Sequence, residues 1–237
     1  MDSGLSISVY FGLSFSIAIF IYNSVEFYLA GRQGIQTISV TTLMEVGFRF
    51  FRFKKNGVLF TLGWLPVGSI LKNDAQNGPE ELAEPETKAK LRKIKSGLAL
   101  SMLAGLLLCI LLIDFGLNGF NVMATFLSDY GQLVLGTIDF KQFFELFVKL
   151  NPNHPIFFSL SLIILLLLIS EFFTLMIDSR LKYLGYIIML AFMCWYVVFF
   201  YKLLIHIDLK ALAGFYFSCL VSSALLLFIS SLIITKK

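Results

Sequence analysis

The sequence predicts an all-α polytopic membrane protein of about five transmembrane helices, with a β-hairpin associated with the cytoplasmic side of the membrane. Three observations lead there. The 237-residue chain is 58% hydrophobic and only 14% charged, with a mean hydropathy of +0.85. A soluble domain of this length has no interior large enough for that much apolar surface. The apolar residues fall in blocks that approach the roughly 20 residues needed to cross a hydrocarbon core, and an aromatic stretch broken by Asn56-Gly57 stands apart from them.

The blocks are 5–22 (with a continuation to Ala30), 97–113, 156–177, 184–200 and 212–234. They divide the chain into a first half, 1–114, with two membrane helices and a loop at 31–95; an outer loop, 115–155; and three further membrane helices, 156–237. The first block does not read as a secretory signal, because Asp2 stands where a basic residue belongs and the positive charge follows the apolar run.

Basic residues favour the cytoplasmic side in short loops. Segment 31–95 holds Arg32, Arg49, Arg52, Lys54, Lys55, Lys72, Lys88, Lys90, Arg92, Lys93 and Lys95, whereas 114–155 holds only Lys141 and Lys149. The amino terminus is therefore expected outside and the carboxyl terminus inside. On this reading the net charge of +4 is a topology signal and does not point to nucleic acid. Cys109, Cys194 and Cys219 all fall in predicted spans without C-x-x-C spacing, as expected of helix-packing thiols.

Within the inner loop, Phe48 to Lys54 and Val58 to Leu65 flank Lys55-Asn56-Gly57. Asn-Gly between aromatic and β-branched runs signals a hairpin, since both residues tolerate positive φ. Pro66 and Gly68 are expected to stop the second strand. So apolar a hairpin is expected to dip into the membrane face, where its edge needs protein or water. Residues 73–95 read as a polar surface tract leading into a basic helix start. In the outer loop, Phe140, Phe143, Phe144 and Phe147 recur at i, i+3, i+4 and i+7. They mark an amphipathic helix that either lies in the outer interface or docks its Phe face on another subunit.

Two stretches, IFIYNSVEFYLAGRQGI from Ile19 and GFRFFRFKKNGVLFTLGWLPVGSILK ending at Lys72, resemble the amino-terminal core of the site-2 protease family of intramembrane zinc metalloproteases. That family carries H-E-x-x-H on its first membrane helix, a Gly-Ile pair, a β-hairpin and a Pro-x-Gly-Gly-Tyr-Val-Lys type segment. Two histidines four apart share one helix face, which is why the spacing makes a zinc site. Here the motif falls on Tyr22, Asn23, Ser24, Val25 and Glu26, with Gly34-Ile35 in the place of the Gly-Ile pair. The family's third ligand is an aspartate of a later helix; Asp178 in Leu175-Met176-Ile177-Asp178 is its nearest match, without the accompanying prolines.

The resemblance thus implies a pseudoprotease. Tyr22 and Glu26 replace the histidines and Asn23 replaces the general base, so no catalytic residue, metal or cofactor is expected. What remains is a scaffold or partner-binding subunit of a complex with other membrane proteins, by resemblance in a bacterial inner membrane. Its candidate contact residues are Phe48, Phe50, Phe53, Phe60, Trp64 and Pro66 of the hairpin, with Phe140, Phe143, Phe144 and Phe147 outside. The outer loop is too short for the family's PDZ domains.

Two other readings stay open at this point. Glu171 is a candidate functional carboxylate, since intramembrane carboxylates are costly. With Glu26 and Asp178 it suggests a transport or ion-coupling subunit; alternatively it is a structural carboxyl, protonated or paired with Arg32, Arg49 or Tyr22. An atypical protease is the third reading. The two histidines, His154 and His206, both fall outside in the expected topology. Gly185, Gly214, Ser218, Ser222 and Ser223 suit close helix contact, within the chain or between chains.

Overall fold

A computed structural model describes residues 3–74, 85–113, 118–150, 154–177, 182–191, 194 and 208–233. The elements run α1 (Ser3–Arg32), β1 (Thr37–Lys55), β2 (Val58–Asn73), α2 (Pro85–Ile113), α3 (Asn118–Val134), α4 (Phe140–Leu150), α5 (Pro155–Ile177), α6 (Lys182–Ala191) and α7 (Leu209–Ile233). Four helices are long and apolar enough to cross a membrane: Leu5–Arg32, Glu86–Ile113, Pro155–Ile177 and Leu209–Leu232. Of the predicted block 184–200, the described helix is α6, too short to span alone; most of its remainder lies outside the described residues. Four candidate spans therefore stand where the sequence predicts five.

The helix α1 is the centre of the bundle. Ser14 Oγ donates to the Ile156 carbonyl at 3.2 Å, and further along the same helix Tyr22 meets Glu171, so α1 and α5 run in the same direction. The helix α7 also runs parallel to α1: Gly214 lies against Leu5, Gly12 against Phe215 and Ser218, and Ser16 against Ser223. α2 runs the opposite way, with Gly97 on Leu29 and Gly105 on Ile164. Ala18, Leu98, Met102, Leu106, Phe158 and Ile164 make the core between α1, α2 and α5. The small residues of α7 are used inside the chain: a Cβ at Gly12 would collide with Ser218, Phe215 and Cys219.

Asn56 (φ 47°) and Gly57 (φ 85°) make the expected tight turn. The strands are longer than the sequence suggests, because β1 begins at Thr37 and β2 continues past Pro66 and Gly68 to Asn73. The expectation that Pro66 ends the strand is corrected. Pairing moves from Met44↔Leu65 to Thr42↔Ser69, so residues 66–68 sit in a bulge where the missing proline N–H breaks no ladder bond. Each strand is also used twice. Val40 lies opposite both Phe60 and Leu71, and Thr41 opposite both Thr61 and Ile70. Residues 49–55 then pair on the far side of the 58–63 stretch. Gly47, at φ 71°, lies in the bend of β1. The resulting curled sheet packs Val40, Leu43, Phe60, Leu62 and Leu71 with Cys219 and Leu227 of α7, and against Phe15 and Phe27 of α1.

The outer segment contains a helix the sequence reading does not predict. The inward positions of α3, at Gly119, Met123, Phe126 and Tyr130, keep helical spacing but are punctuated by small and polar residues. Phe126 meets Phe143 at 6.0 Å and Phe158 at 5.8 Å; Phe147 meets Phe158 at 5.7 Å and Phe11 at 5.8 Å. Phe140 and Phe143 are buried. Phe140, Phe143 and Phe147 are thus covered by their own chain, which corrects their assignment as a docking surface for another subunit. Phe144 lies in α4, but its side chain is outside the described residues.

Candidate functional site

The residues at the motif positions converge with Glu171 rather than scattering. One helical turn of α1 places Tyr22 and Glu26 on the same face, and that face meets α5. The Tyr22 hydroxyl donates to Glu171 Oε1, and Glu171 is buried, 7% exposed. Glu26 lies within charge range of Glu171 and of Lys95 on α2, and Lys95 also acts on Glu171. Asn23, turned toward the sheet, accepts a 2.8 Å hydrogen bond from Ser69 Oγ of β2. Four elements, α1, α2, α5 and β2, therefore meet around two carboxyls, a phenol, an amide and an ammonium.

The arrangement follows from the cost of burial. A carboxyl withdrawn from water without a partner costs several kcal/mol, so the helices that carry Glu26 and Glu171 are set where Tyr22 and Lys95 compensate them. Of the three partners expected for Glu171, Tyr22 is the one it meets. Arg49 instead approaches Glu45 at 3.8 Å, and Arg32 lies over the Tyr28 ring. Ser69 and Lys95 were not singled out from the sequence. The signals were there: Ser69 lies in the Pro66 to Lys72 segment, and Lys95 marks where the basic run meets the apolar block.

Chemically, this node can share and hold protons. Asn23 is an amide with no basic site for taking a proton from water, and it is already engaged by Ser69. Among the described residues, no group of three His, Cys, Asp or Glu side chains is placed to hold a metal ion. Asp178 and His206 lie outside the described residues.

The hairpin candidates separate by exposure. Phe60 is fully buried and stacks on half-buried Phe53 at 5.2 Å, so its assignment to partner contact is corrected: it is core. Trp64 donates its indole N–H to the Val46 carbonyl at 2.9 Å and Pro66 is half-buried, which makes both structural parts of the bend. Phe48, 59% exposed, and Phe50 face outward and meet edge-to-face at 5.5 Å. No family model matches this chain, and no curated protein matches it at a significant level.

Proposed function

We propose that the chain is a catalytically inactive, site-2-protease-like membrane protein that serves as a scaffold or partner-binding subunit of a membrane complex. The observation that carries this reading is the use made of the motif positions. Where the family it resembles needs ligands and a base free to face a metal and water, Tyr22 is committed to Glu171, and Asn23 to Ser69. Groups spent on holding α1 to α5 and β2 serve architecture. Hydrolysis without an activated water or a placed base has no route.

The retained sheet is the natural contact element. Strand addition needs only backbone hydrogen bonds and pockets for alternate side chains, and so survives loss of the metal. On this reading the chain lies in a bacterial inner membrane and crosses it five times, amino terminus outside and carboxyl terminus inside. The parallel course of α5 and α7 supports that count, because the chain between them must return to the opposite face. The test is purification of the tagged chain from its native membrane in mild detergent, with particle size and composition read together. A discrete complex with fixed stoichiometry is expected. A stable lone particle overturns the reading, and near-stoichiometric zinc in it would restore the protease.

A second reading is favoured by the same node: Glu26, Glu171 and Tyr22 as an intramembrane proton relay in a transport subunit. Glu171→Gln separates the two. A relay loses proton flux while the complex stays assembled, whereas a scaffold loses none.

A further inference from the structure

The outer portion of β1 carries an arrangement that internal packing leaves unexplained. Residues 49–55 pair with β2 along one side and have no ladder partner on the other among the described residues. Beside that edge, Val46, Phe48, Phe50 and Phe51 are all exposed. Arg49 and Arg52 share a single carboxylate, Glu45, at 3.8 and 2.9 Å. The triad thus carries one surplus positive charge, and Lys54 beside it adds another.

Its depth makes this matter. Arg52 is level with Thr61, Thr41 and Ile70, one residue from Ser69, and Ser69 is bonded to Asn23. Asn23 lies nine residues before the end of α1 at Arg32, roughly 14 Å along the axis. The 28-residue candidate span of α1 is about 42 Å long, roughly 12 Å more than the hydrocarbon core. Even with all of that excess at this end, Asn23 falls inside the boundary, and Arg52, one strand residue nearer the end of α1 than Ser69, lies close to it. The opposite end of the sheet, where the Asp74 N–H meets the Gln36 carbonyl, adjoins the end of α1, so Arg49 lies further in than Arg52. From Arg52 inward to Arg49 the edge lies at or inside the boundary, where an open sheet edge and the triad's surplus charge call for a covering group. Lipid tails offer no hydrogen bonds to the edge, whereas an extended polypeptide does.

We propose that this edge is covered by an extended segment of a partner membrane protein that presents a carboxylate to Arg49 and Arg52, its apolar side chains lying on Phe48, Phe50 and Phe51. The proposal rests on the scaffold reading and names the chemistry of the partner. The test places a photo-crosslinking benzoylphenylalanine at Phe50 in the full chain in its native membrane, with Phe228, 61% exposed on α7, as the control position. The expected result is an adduct from position 50, absent from position 228, with one polypeptide whose crosslinked segment contains Asp or Glu. Arg49→Glu with Arg52→Glu should lower its yield at least about tenfold, reversal of the partner's carboxylate to Lys should restore it, and Arg49→Lys with Arg52→Lys should retain most of it. An adduct with phospholipid only, with a second copy of this chain, or with a segment lacking an acidic residue overturns the proposal. So does a yield insensitive to charge reversal in a monodisperse variant. If wild-type chain brings down a stoichiometric partner that position 50 does not touch, this inference alone fails. If no partner comes down, the scaffold reading fails with it.

Discussion

Two clusters of polar contacts that the helix α1 makes at membrane depth are built differently. Against α7, Ser16 Oγ reaches the Cys219 carbonyl at 3.0 Å and the hydroxyls of Ser222 and Ser223 at 2.8 Å each, next to the close approach at Gly12. Every group there is neutral, and Ser16 also returns a bond to its own helix at Gly12. Against α5 and β2, the contact uses Tyr22, Glu171, Glu26 and Asn23, with Lys95 in charge range. The first seam is a close-packing device that tolerates hydroxyls because they satisfy one another. The second places ionisable groups where apolar ones would pack at lower cost, so each depends on a compensating group from another element.

Five substitutions break or sharpen that contrast, beginning with the largest expected effect and ending with the smallest. Gly12→Leu forces a side chain into the α7 backbone and should cost about 3 kcal/mol or more, seen as aggregation or a collapsed melting temperature in detergent. A well-behaved variant would mean the seam is loose. Tyr22→Phe deprives buried Glu171 of its donor and should cost about 1–3 kcal/mol. Glu171→Gln keeps an acceptor and should cost less than about 1 kcal/mol; thermal melts of the two side by side test the ordering. Ser69→Ala removes the tie between sheet and α1 at about 1 kcal/mol, and should speed protease cleavage at the exposed Asn56-Gly57 turn. Ser16→Ala should be mildest, about 0.6 kcal/mol, because the remaining hydroxyls re-pair. A larger loss there than for Tyr22→Phe would reverse the comparison.

Much of this was legible from residues alone. The apolar blocks correspond closely to α1, α5 and α7 because crossing a bilayer constrains a contiguous run of sequence. The Asn56-Gly57 turn was legible because positive φ at two successive positions is a local demand that few residue pairs meet. The same was true of the Phe periodicity of α4. The errors have a common cause. Pro66 looked like a strand end because a proline is judged by its own missing donor, whereas the strand survives by shifting register elsewhere. The Phe face of α4 looked available because α3, whose apolar positions are interrupted by small residues, was not recognised as the element that covers it. Phe60 looked like a contact residue because a strand's sequence does not say which face is core.

By itself, then, the sequence determined that the chain belongs in a membrane, where most of its helices begin and end, where the hairpin turns, and which of its polar residues are expensive to bury. Only the tertiary structure decided the pairings: that the serines of α7 close on α1 within one chain, that Tyr22 rather than an arginine meets Glu171, that Ser69 reaches Asn23, and that β1 has an edge beside Phe50 with no ladder partner among the described residues. Hydropathy, turn geometry and periodicity are properties of neighbours along the chain. Compensation of a buried charge or an open edge depends on groups brought together from distant positions, and their identity is settled only when the helices pack.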